Sequence, residues 1–91
     1  MNDSAGFIRG YFAAVELRLF GASDLLHDDN APLDTTVYHQ VAVSNATMDC
    51  LRFIEENAED LACYLEITGM DSEGAGLDHA YPVNADTHQM R

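Results

Sequence analysis

A chain of 91 residues has room for one modest hydrophobic core and not for two. Its hydrophobic share of 47% is that of a globular domain and argues against an acidic disordered tail. Sixteen Asp and Glu against four Arg and no Lys leave a net charge of -12, which argues against charge-driven binding to nucleic acid or an anionic membrane and suits a basic protein surface.

The first predicted element is a helix over 4–20. Asp3 or Ser4 can cap its free amides, and Phe7, Ile8, Tyr11, Phe12, Val15 and Leu19 fall on one broad apolar face, with Arg9, Glu16 and Arg18 outside. Gly10 costs about 1 kcal/mol of helix propensity relative to Ala. A glycine there makes sense if another helix crosses closely at that point. Gly21 is placed to serve as the C-terminal cap.

From Ala22 to Leu33 the period is lost and turn formers gather, with Leu25 and Leu26 expected to pin this connection to the core. Asp28, Asp29 and Asn30 lack the alternating oxygen ligands, glycine and distal glutamate of a calcium loop, so no metal site is expected there.

Asp34 is expected to start a second helix over 35–60. Its predicted core stripe is Val37, Val41, Met48, Leu51, Ile54, Ala58 and Leu61, with Leu51 near the centre. Thr35, Thr36, Val37, Val41 and Val43 are β-branched and favour a strand locally, but continuity with 46–60 favours the helix, with Ser44 and Asn45 marking a kink or break. Asp49, Glu55, Glu56, Glu59 and Asp60 take the solvent side, with Arg52 as the nearby cation.

Beyond Asn57, Leu61, Cys63, Leu65 and Ile67 alternate as in a strand, while Ala58, Leu61 and Leu65 also continue the helical period. The expectation is two short strands, 62–69 and 77–83, around a turn bearing Gly74 and Gly76, with Pro82 confining the second to an edge. Residues 84–91 are expected to fray. The predicted fold is thus a single α+β domain over 1–91, mainly helical, with two packed helices and a short C-terminal β-hairpin. Cys50 and Cys63 lack any motif spacing and are expected as buried free thiols.

Catalytic patterns are missing. His27, His39, His79 and His88 are scattered, with no G-x-S-x-G, P-loop or H-E-x-x-H around them. Cys50 and His39 on one helix would stand about 16 Å apart along its axis. Cys63 could approach His79 only across the hairpin. The expectation is a non-enzyme without cofactors.

The segments FIRGYFAA (7–14), DDNAPLD (28–34), DCLRFIEENAEDL (49–61) and SEGAGLDH (72–79) resemble, in that order, a family of small phage and prophage proteins. Glu73 stands where that family has histidine, and Leu77 and Asp78 stand where it has aromatic residues. The resemblance implies a phage origin and carries no residue roles with it.

The remaining clue is acid. Asp49, Glu56 and Asp60 on one helix would be spaced by about 10 and 6 Å along its axis, comparable with a sparse subset of the phosphates on duplex DNA. In size and charge the chain also resembles phage anti-restriction and anti-CRISPR inhibitors. The first functional expectation is therefore an inhibitor that occupies a basic nucleic-acid-binding surface of a host defence complex. Its expected contacts are Asp49, Glu55, Glu56, Glu59 and Asp60, joined by Asp28 and Asp29. The alternative is a small phage structural or assembly protein with an apolar working surface, homodimerisation being one use of it. No apolar run approaches the roughly 20 residues of a membrane span, and MNDSAGFIRG lacks the features of a signal peptide, so the expected location is the host cytoplasm.

Overall fold

The computed structural model describes residues 4–79. Four helices follow one another: α1 (Ser4–Phe20), α2 (Gln40–Glu56), α3 (Ala58–Thr68) and α4 (Ser72–Asp78), with a 3-10 turn at Asp24–Leu26 between the first two. α1 ends where the sequence predicts, and all of the expected 4–20 is helical. Gly21 stops it in the left-handed conformation (φ 78°), its amide donating to the Leu17 carbonyl at 2.9 Å. Phe7, Tyr11, Phe12 and Val15 are buried, whereas Leu19 is left partly exposed.

The expected β-hairpin is absent: no strand occurs among the described residues. Over 58–68 the helical period wins, because Leu61 and Leu65 turn inward one turn apart while Cys63 and Ile67 face solvent. Glu59 and Asp60 in the first turn suit the positive end of the helix dipole, and Gly69 closes α3 at φ 70°. Asp71 then caps α4 by accepting from the Gly74 amide at 2.8 Å. Residues 80–83 of the second expected strand, and the tail 84–91, lie outside the described residues.

Gly74 and Gly76 are helical rather than turn residues. A Cβ at Gly76 would run into the backbone carbonyl of Phe7, and one at Gly10 into that of Glu73. The close crossing expected at Gly10 therefore exists, and its partner is α4. α1 packs more extensively on α4 than on α2. Arg9 is also not on the outside. It is partly buried, donates to the carbonyls of Ala31 and Asp28 (2.9 Å for the latter), and pairs with Glu73 at 3.4 Å, tying α1, the connection and α4 together.

The second predicted helix is shorter and differently faced. Residues 35–38 form a turn, where Asp34 accepts from the Thr36 amide at 2.9 Å and the Thr36 hydroxyl at 2.6 Å. These bonds hold its carboxyl below the ordinary range. The break falls at Asn57, not at Ser44 and Asn45. The inward face of α2 is Ala42, Ala46, Cys50 and Ile54. Most of the predicted stripe points to solvent: Val37 is 61% exposed, Val41 75%, Met48 55% and Leu51 45%, and Ala58 is exposed too. Only Ile54 and Leu61 of that stripe are buried.

Volume explains the choice. The rings of Phe7, Tyr11, Phe12 and Tyr38 already occupy the core, with Phe12 stacked on Tyr38 at 5.9 Å and edge-on to Tyr11 at 5.3 Å. Small side chains at four-residue spacing let α2 approach those rings, where a row of Val, Met and Leu would overfill the space. Cys50 is buried as expected, but Cys63 is exposed. Leu25 is buried, whereas Leu26 is largely exposed.

Candidate partner-binding site

α2 and α3 meet at one residue. Asn57 leaves the helical conformation (φ -122°, ψ 25°), its amide and side-chain Nδ2 both donate to the Phe53 carbonyl, at 3.0 and 2.9 Å, and its own carbonyl accepts from the Leu61 amide at 2.8 Å. An asparagine serves here because its side chain supplies a local bond where the ladder is broken. The consequence is a corner. The last turn of α2 brings Glu55 and Glu56, and the first turn of α3 brings Glu59 and Asp60, around an open concavity of about 410 Å³ lined by residues 55–60.

All four carboxylates are exposed. Glu59 and Asp60 sit at a helix N-terminus, where negative charge is favoured, but Glu55 and Glu56 sit at the C-terminal end of α2, which has no basic residue in its last turn. Arg52, one turn earlier, points back to Asp49 at 3.6 Å. Like charges thus converge at the negative end of a helix dipole, an arrangement that a cationic group would relieve.

The other expected contacts lie apart from this corner. Asp49 is partly buried beside Arg52. Asp28 uses its carboxylate to accept from the Asn30 amide at 2.9 Å and its carbonyl to accept from Arg9, and Asp29 is exposed in the same connection. The structure therefore unites four of the seven predicted residues.

Flanking the corner is a smaller cleft of about 180 Å³ lined by Phe53, Asn57, Asp60, Leu61, Tyr64 and His79. The imidazole of His79 lies 4.9 Å from the Tyr64 ring, 5.5 Å from Phe53 and 6.4 Å from Phe7, centroid to centroid. Its Nδ1 donates to the Ala75 carbonyl at 2.7 Å. The Tyr64 hydroxyl donates to Asp78 at 2.6 Å, which raises its pKa. Sequence reading missed this cluster by placing His79 in an expected strand of a hairpin. The spacing Phe53, Asn57, Leu61, Tyr64 was the available signal, since it continues one helical face across the break.

Among the described residues no group of three His, Cys, Asp or Glu is placed to hold a metal ion, and no helix is long and apolar enough to cross a membrane. No protein-family model, curated protein or solved structure matches the chain.

Proposed function

We propose that this protein is a binding module for a basic, nucleic-acid-binding protein surface, with Glu55, Glu56, Glu59 and Asp60 as its contact set. One observation carries the reading: these four carboxylates meet at the corner where the C-terminal end of α2 lacks a cation. Arginines on a target would make charge-assisted, often bidentate bonds there and relieve the repulsion. Occupying such a surface excludes the nucleic acid that otherwise fills it. In the narrower form of the proposal the chain is a phage-encoded inhibitor acting in the host cytoplasm on a defence complex, CRISPR interference machinery first. This form rests on the resemblance of its segments to phage proteins and on its net charge of -12.

The test reverses Glu55, Glu56, Glu59 and Asp60 to Lys and measures binding to purified defence complexes and to a polyarginine peptide. Loss of binding and of competition with nucleic acid is expected, with single truncations at desolvated contacts costing about 2–5 kcal/mol. Reversing Asp28 and Asp29 should change affinity far less. Undiminished binding by the four-site variant rejects the corner as the contact.

A second reading, a small structural or assembly protein working through an apolar interface, is favoured by a different observation, the exposed apolar stripe of α2.

A further inference from the structure

We propose that this stripe is the contact surface for a second copy of the chain, with the two α2 helices pairing antiparallel. The inference rests on the second reading for the face and adds the occupant and the geometry. On α2, Val41, Ser44, Met48 and Leu51 follow one another at steps of three, four and three, the spacing of a coiled-coil seam, and Val37, in the turn before the helix, is exposed as well. These four face solvent, because the opposite side of α2 is used in the core.

Charge selects the occupant. From Thr35 to Met48 the chain carries no Asp, Glu, Lys or Arg, the longest such run in a molecule of net charge -12. A basic partner gains little on this uncharged surface. A second acidic copy meets the least repulsion there.

Charge also selects the direction. Parallel pairing would stack Glu55 on Glu55 of the second copy, at the negative ends of both helix dipoles. Antiparallel pairing carries each Glu55 to the other copy's α2 N-terminus, where His39 makes no side-chain cap bond. In that register Val41 faces Leu51 of the second copy and Ser44 faces its Met48. With the flanking Gln40, Asn45 and Arg52, the contact falls well short of the roughly 20–30 residues a side of a standard stable interface. The dimer is therefore a reversible one.

The experiment is sedimentation equilibrium of the full chain from about 10 μM to about 1 mM, at low salt and near 1 M, where the Debye length falls to about 3 Å. A mass rising toward two chains is expected, more so at high salt. The exposed double variant Val41→Ser with Met48→Gln should keep the same circular dichroism and stay monomeric. In a Cys63→Ser background, mixing Val41→Cys chains with Leu51→Cys chains should give mainly the mixed disulfide; a preference for the two like disulfides overturns the antiparallel geometry. A monomer at every concentration overturns the dimer. In that case, binding of an apolar dye by the wild type and not by the double variant leaves the apolar face standing for a different protein, and equal dye binding rejects the second reading as well.

Discussion

The two cysteines show how position sets thiol chemistry. Cys50 is fully buried on the inner face of α2, and burial, with Asp49 alongside, pushes its pKa up from 9.0 to about 12. Cys63 is exposed on α3. Alkylation of the native protein should therefore modify Cys63 alone, and denaturant should expose the second thiol, as read by mass spectrometry. The same shift has a stability consequence. The unfolded thiol ionises above about pH 9 while the folded one stays protonated, so the stability is present in full below that pH and is lost as pH climbs toward 12. Tyr64 contributes in the same direction. A Cys50→Ala variant should lose stability less steeply across this alkaline window. An equal slope would mean that the thiol opens to solvent before the protein unfolds.

At the scale of elements, the α1–α4 crossing is the closest helix packing among the described residues, with no room for a side chain at Gly10 or Gly76. The atoms that an added methyl would meet at Gly10 and Gly76 are backbone carbonyls, which cannot rotate away as a side-chain tip can. Gly10→Ala and Gly76→Ala should each cost about 3 kcal/mol or more, since the helices must separate to admit the methyl. Gly74 is the control, because its nearest neighbours are side-chain atoms at 3.4 Å and beyond. Gly74→Ala should be neutral or stabilise by up to about 1 kcal/mol through helix propensity. Denaturant melts of the three variants check the contrast, and equal losses at all three sites would contradict the crossing.

For the whole molecule, four Arg against sixteen Asp and Glu mean that ion pairs such as Arg9 with Glu73 and Arg52 with Asp49 can compensate little of the acid. Self-repulsion should therefore lower the melting temperature at low ionic strength, and added salt should raise it as the charges are screened. Mild acidification should act in the same direction by neutralising part of the field. A melting temperature flat up to about 1 M salt would show that the carboxylates are too far apart to repel appreciably.

What the sequence by itself determined is what depends on one segment at a time. α1, with its aromatic face and Gly21 stop, follows from periodicity and capping, which are local. The need for a close neighbour at Gly10 and the sign of the surface field were legible for the same reason. The tertiary structure decided which side of α2 turns inward. Both sides are apolar, so periodicity could not choose between Val41, Met48 and Leu51 on one and Ala42, Ala46 and Cys50 on the other. The volume already taken by the α1 rings made the choice and left the larger side chains in solvent. Likewise Gly76 looked like a turn residue until a neighbouring backbone required the space of its missing side chain. The four corner carboxylates come together because the chain changes direction at Asn57, and the angle between two packed helices is set by what each buries, which no single segment encodes.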